Sequence, residues 1–236
     1  MRRMLDLVEL TKKAHPHDQF FANLDETLRS SSQARAQYKA YDRALSYLDP
    51  ESWKVLSEKA VVHFTDHREG QLKQGFFNQL NEAFAYQFLI RRGYKGVTVL
   101  REDGSKKPDL TYINGTARHY CEVKSIGISD NELNRRAAED VFDASIYQKL
   151  SEEFLLKFDG MLKKAYVQIS SQSGPGLVFV VARFDDFTLS HYDKYRKQIS
   201  QLLSTHEVPE VFVKIGLIGS RYIHKQRNHT ETNATN

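Results

Sequence analysis

A chain of 236 residues with 40% hydrophobic and 27% charged side chains can bury a sizeable core and is too apolar for a disordered polymer. Its single cysteine, Cys121, excludes an internal disulfide and fits a reducing compartment, and the formal charge of +4 permits a polyanionic partner without demanding one. No stretch approaches transmembrane length, and Asp6 and Glu9 break the opening apolar run MRRMLDLVELTKK, which argues against a signal peptide. The expectation is a cytoplasmic protein with no membrane partner.

The first 70 residues read as a helical region. Ala34, Tyr38, Tyr41, Leu45 and Leu48 form one apolar stripe at spacings of four and three. Asp49-Pro50 then reads as an N-cap with proline in the first helical position, opening a helix whose stripe continues through Trp53, Leu56, Ala60 and His63 to a stop at Glu69-Gly70. A third helix is predicted over Phe76 to Arg92 with Gly93 as its C-cap. It is apolar around most of its circumference, which predicts packing on more than one side.

From Gly96 the period changes to two. Val97–Leu100, Asp109–Ile113 and Arg118–Val123 read as three strands, the last two joined by the hairpin signal Asn114-Gly115. A helical region capped at Ser129 or Asp130 runs to about Ser170 with a break near Leu150-Ser151, and SQSGPG ends it. Leu177–Ala182 is a continuous apolar run, as in a strand buried on both faces. A helix over Leu189 to Leu203 and a last strand over Val211–Leu217 follow, and residues 223–236 read as a loose polar tail. This order predicts an α/β fold, a central mixed sheet flanked by helices, with the core in residues 71–222.

Side chains alternate along a strand, so Glu122 and Lys124 share a face while Cys121 points to the other. Asp109 opens the preceding strand, and the hairpin can bring it near Glu122. Two carboxylates beside a lysine suit Mg²⁺, which takes oxygen ligands and keeps several waters, together with a phosphoryl substrate. A cross-strand ion pair on an exposed sheet face is the plainer reading of the same local pattern.

Pro108-Asp109 followed after a hairpin by Glu122-Val123-Lys124 resembles the motif of the PD-(D/E)XK nuclease superfamily, the restriction-endonuclease-like fold. Upstream, GFFNQLNEAFAYQFLIRRGY resembles the helix before that family's first core strand, which often carries a glutamate on its active-site side; Glu82 is the acid there. The resemblance covers roughly Gln71 to Gly219. It implies a metal-dependent nuclease, most simply a DNA endonuclease using Mg²⁺ with Mn²⁺ as a substitute, RNA not being excluded and a homodimer being one way to cut a duplex. It implies Asp109, Glu122 and the Val123 carbonyl as metal ligands, Glu82 on the metal directly or through a water, and Lys124 as the group that positions the attacking water. The family often adds a polar residue from the helix after the lysine; Lys164 and Gln168 are the two candidates.

Two other readings compete. The same fold can serve as a nucleic-acid-binding or assembly module without cleaving. His63 and His67 in HFTDH, placed four apart on a helix, could bind zinc, and the string resembles the inverted zinc-protease motif with Asp66 in place of a glutamate. The shorter aspartate arm and the place of His63 on an apolar stripe both favour a packing histidine.

Overall fold

At Asn114-Gly115 the chain reverses with Gly115 at φ +62°, a left-handed conformation open to glycine without steric cost. The turn joins β2 (Leu110–Asn114) to β3 (Ala117–Ile126), paired antiparallel from Asn114↔Ala117 to Leu110↔Cys121. β1 (Lys95–Val99) lies antiparallel on the outer side of β2. On its other side β3 runs parallel to β4 (Gly176–Ala182), which runs parallel to β5 (Glu210–Ile215); β6 (Arg221–Lys225) closes the sheet antiparallel to β5. The six strands lie in chain order, β1 to β6. The structure is a computed structural model that describes residues 1–67, 72–104, 107–127, 134–135, 138, 143–182, 190–205, 210–219 and 221–225.

Among the described residues five α-helices precede the sheet: α1 (Arg2–Ala14), α2 (Leu24–Ser30), α3 (Ser32–Leu45), α4 (Pro50–Val62) and α5 (Gln74–Arg91). Parallel neighbours need crossovers, and α6 (Glu152–Ser170) and α7 (Tyr192–Ser204) lie between β3 and β4 and between β4 and β5. The alternation of the strands sorts their side chains into two cores. Cys121, Leu177, Phe179, Val181 and Phe212 pack with the N-terminal helices and α5, while Val178, Val180, Val211 and Val213 pack with α6 and α7. The molecule is thus an α/β fold with a mixed sheet flanked by helices on both faces, and the N-terminal helices belong to one of those layers.

The caps fall where the sequence places them. Asp49 accepts the Ser52 N–H at 2.9 Å with Pro50 in the first turn, and Gly93 leaves α5 at φ +84°; where a break was expected near Leu150-Ser151, Ser151 caps α6 by accepting the Phe154 N–H at 3.1 Å. Two expectations need correction. The helix of Trp53 ends at Val62, and His63–Thr65 form a single 3-10 turn rather than a continuation. A strand also follows the one expected to be last, so 223–225 belong to the sheet rather than to a tail. The Glu69-Gly70 stop, the Ser129 or Asp130 cap and residues 226–236 lie outside the described residues.

Candidate active site

The sheet forks at Asp109. The β2–β3 pairing stops at Leu110↔Cys121, and beyond it β3 is paired on its β4 side only, from Glu122↔Val178 to Ile126↔Ala182. Asp109 takes up the first backbone donor freed by the fork, its Oδ2 accepting the Val123 N–H at 2.7 Å. Its own carbonyl accepts the Leu100 N–H at 2.8 Å, so the loop before β2 is tied to the end of β1. Pro108, which has no N–H to leave unpaired, is buried just before it.

Glu122 and Lys124 share the face of β3 whose β4 partners, Val178 and Val180, pack with α6 and α7. Cys121 is fully buried on the opposite face, a core residue whose thiol burial pushes well up. Lys124 donates through Nζ to Glu122 and, at 2.9 Å, to Gln168 Oε1 of α6. Gln168 donates in turn to the Lys107 carbonyl at 3.5 Å, which links α6 to the segment leading into Asp109. Of the two candidates on that helix Gln168 reaches the site; Lys164 faces solvent.

Glu82, from α5, is 3% exposed and lies 2.5 Å from the Lys59 ammonium of α4. A solvated position for this acid is therefore ruled out. Lys59, itself 6% exposed, also faces Glu102 at 3.6 Å; Glu102 meets His63 at 2.9 Å, and His63 meets Asp66 at 2.6 Å. Lys59 and Glu102 were missed from the sequence. The signal for Lys59 was present, because it sits four residues after Val55 and seven after Ser52 on the buried face of α4.

The electrostatics mark a crowded group of acids. Burial pushes the Glu122 carboxyl up to about 7, helped by the Asp109 charge and opposed by Lys124 and Lys59. Burial likewise raises Asp109 against the pull of Lys59, the Val123 N–H and Lys124. Glu82 is pushed well up by burial while Lys59 pulls it back; burial lowers Lys59, and Glu82 and Asp109 more than restore it. The Lys59 and Glu82 shifts pull against each other, one favouring an ammonium and the other a neutral acid. A charged Lys59 is the consistent answer, since Glu82, Asp109 and Glu102 all raise it.

Oε2 of both Glu122 and Glu82 is buried and without a hydrogen-bond partner. Such an atom costs free energy unless something binds it. Among the described residues no group of three or more His, Cys, Asp or Glu side chains could hold a metal ion. A cation that keeps waters needs only one or two carboxylates, so Asp109 and Glu122 are the two acids on which such an ion would depend. The zinc reading fares worse. His63 and His67 do not share a helix face, His63 has a carboxylate on each ring nitrogen, and Nδ1 of His67 lies 2.9 Å from the Thr65 carbonyl. No protein-family model, curated protein or solved structure matches the chain. Among the described residues no helix is long and apolar enough to cross a membrane.

Proposed function

We propose that the protein is a Mg²⁺-dependent nuclease of the PD-(D/E)XK kind, hydrolysing phosphodiester bonds as a DNA endonuclease in the cytoplasm. The observation that carries this reading is the buried, unpartnered carboxylate oxygen of Glu122, an acid that feels the Asp109 charge and takes the Lys124 ammonium on its other oxygen. Asp109, Glu122 and the Val123 carbonyl would hold the metal, with Glu82 on it directly or through a water. When bound, Mg²⁺ or a substituting Mn²⁺ would supply Lewis acidity toward a phosphoryl oxygen and a more acidic water. Lys124, one-quarter exposed at the mouth of the acid group, orients the attacking water or meets charge that develops on the phosphate. Gln168 fixes the Lys124 ammonium from the α6 side, and Lys59 holds Glu82 in place from α4.

RNA offers the same phosphodiester to these acids, and the chain's 34 basic residues against 30 acidic ones suit either polymer. One site cuts one strand, so duplex cleavage takes a homodimer or two encounters. The test is cleavage of supercoiled, linear, single-stranded and branched DNA with Mg²⁺, with Mn²⁺ and with a chelator. Metal-dependent cleavage, with binding that weakens steeply as salt rises, is the expected result. Flat salt dependence together with no cleavage on any substrate would sink the reading.

A second reading has one observation in its favour. Lys59 and Lys124 already pair with Glu82 and Glu122, so the acids are charge-compensated without a cation. A non-cleaving nucleic-acid-binding or assembly module would keep such a group as a structural ion-pair network. It predicts DNA binding that Mg²⁺ leaves unchanged and no loss of supercoiled plasmid.

A further inference from the structure

Beside the acids lies a polar cleft of about 460 Å³ bounded by α5, the far end of β3, the 63–67 turn and Lys157 of α6. None of Asp109, Glu122, Lys124 and Glu82 lines it, and two elements connect it to them. Ser125 follows Lys124 on β3 and points to the opposite face of the strand, and Gly127 lies just past the strand's end. On α5, Gln74, Asn78 and Glu82 follow one another at four-residue spacing, so one stripe of the helix runs from the cleft to the acid group. Asn81, one residue before Glu82, donates to Ser125 Oγ at 2.7 Å and locks the two walls together.

The lining is rich in carboxamides: Gln74, Asn78 and Gln79 all face it. Gln79 Oε1 is buried without a hydrogen-bond partner, so the wall carries an acceptor that the protein itself leaves unsatisfied. The wall is also rigid. A Cβ on Gly75 would come within 2.5 Å of the His63 carbonyl and 2.6 Å of Asp66 Cβ, and the Gly75 N–H donates to the Asp66 carbonyl at 2.9 Å. The first turn of α5 is clasped against the 63–66 turn.

Carboxamides pair with base edges because each presents a donor and an acceptor at the spacing of adjacent base atoms. A volume of this size falls in the range of about 300–1,000 Å³ that takes one small organic group, and a nucleotide is such a group. A base inside a duplex cannot enter a concave cleft; only an unstacked one can. We propose that this cleft binds one unpaired nucleotide next to the scissile phosphate, with Gln74, Asn78 and Gln79 on the base and Lys157 on a neighbouring phosphate. The proposal rests on the nuclease reading and deepens it: the substrate is nucleic acid with a single-stranded segment at the cut, read with a preference among bases.

The test uses the full chain carrying Lys124→Ala, which on the nuclease reading binds without cutting, and measures fluorescence anisotropy in Mg²⁺. The probes are dye-labelled single-stranded DNA, the same sequence as a blunt duplex, and oligo-dA, oligo-dC and oligo-dT of equal length. Single strands should bind at least about tenfold tighter than the duplex, with unequal affinities among the three homopolymers. Adding Asn78→Ala or Gln74→Ala should weaken single-strand binding by about tenfold and level the homopolymers, while Lys157→Ala, at an exposed position, should weaken all three alike. Normal binding and base preference in folded Asn78→Ala and Gln74→Ala proteins would overturn the cleft assignment and leave the nuclease reading standing. Absence of binding to every probe would overturn both.

Discussion

Lys124 donates to Glu122 and to Gln168, and those two contacts suit an ion pair as well as a catalytic amine. Glu122 is 1% exposed, so even as a mere ion pair Lys124 supports the fold: Lys124→Ala would cost up to about 3–5 kcal/mol by leaving a buried carboxylate unpaired, and would leave cleavage intact. A group that acts at the transition state is different: its removal costs rate more than binding. Lys124→Ala should therefore stay folded, bind DNA and lose cleavage by about two orders of magnitude, as for the loss of one preorganised donor. Asp109→Asn and Glu122→Gln should also lose cleavage, but through weaker metal binding, so raised Mg²⁺ should restore them in part and leave Lys124→Ala unrescued. Plasmid nicking against Mg²⁺ concentration reads all three. Glu122 also leaves a mark on stability. With its pKa pushed from 4.5 up to about 7, the metal-free folded state holds a proton that the unfolded chain has released in that interval. The stability linked to Glu122 is thus fully present below about pH 4.5 and lost as pH rises through 7. Glu122→Gln, uncharged throughout, should lose less stability between pH 5 and pH 8 than the parent, by a few kcal/mol at most. Urea unfolding in chelator at the two pH values checks it, and equal losses in both proteins would show Glu122 ionised at neutral pH.

At the scale of elements, α4 decides whether Lys59 reaches Glu82, and Asp49 decides where α4 begins. Its carboxylate accepts the Ser52 N–H at 2.9 Å, the Ser52 hydroxyl at 2.9 Å and the Tyr86 hydroxyl of α5 at 2.8 Å. Burial works against that charge and these donors overcome it, leaving the Asp49 carboxyl below the usual range. Asp49→Ala removes an N-cap, worth about 1 kcal/mol, and strands the Tyr86 hydroxyl, worth about 1–3 kcal/mol more. The expected loss is about 2–4 kcal/mol by urea unfolding; a loss within about 0.5 kcal/mol, ordinary for a surface change, would show the cap to be idle. This cap was legible in Asp49-Pro50, as was the β2–β3 hairpin in Asn114-Gly115, because both are local backbone chemistry. β6 was not. Its residues are RYIHK, with Ile223 buried and charges on either side, and it is held by pairing with β5 at the sheet edge rather than by an apolar pattern. Lys214 was also hidden: buried on β5, it donates to the carbonyls of Gly216, Leu217 and Gly219 and so ties down the turn into β6. The acid group was half legible. Asp109, Glu122 and Lys124 declare themselves within sixteen residues, whereas Lys59 meets Glu82 across a separation of 23, which no local period encodes.

For the whole molecule, the N-terminal helices are a layer of the fold rather than an appendage. One apolar cluster runs from Met4 and Leu7 of α1 through Tyr41 of α3 and Leu56 of α4 into α5 and the sheet. The aromatic contacts cross the boundary expected near residue 70. Phe21 and Phe64 each lie close to Phe76, at ring-centre distances of 5.6 Å, and Tyr41 lies 5.2 Å from Phe84. That explains why α5 is apolar nearly all round: one side faces the sheet and another faces α3 and α4. It also explains why Glu82 is buried, since Lys59 of α4 packs over it. A chain beginning at Gln71 would expose Phe76, Leu80 and Phe84, each worth about 1.5–3 kcal/mol when buried, or about 5–9 kcal/mol together. Losing that much approaches the entire stability of a domain, about 5–15 kcal/mol. It would also remove Lys59, the ion partner of Glu82, and open that acid to solvent. The shortened chain should therefore fail to fold cooperatively, showing no sharp urea transition and strong binding of a hydrophobic dye such as ANS. A shortened chain with a cooperative transition and well-dispersed amide resonances would show instead that residues 71–225 hold their own core, with the helical layer added to a finished fold.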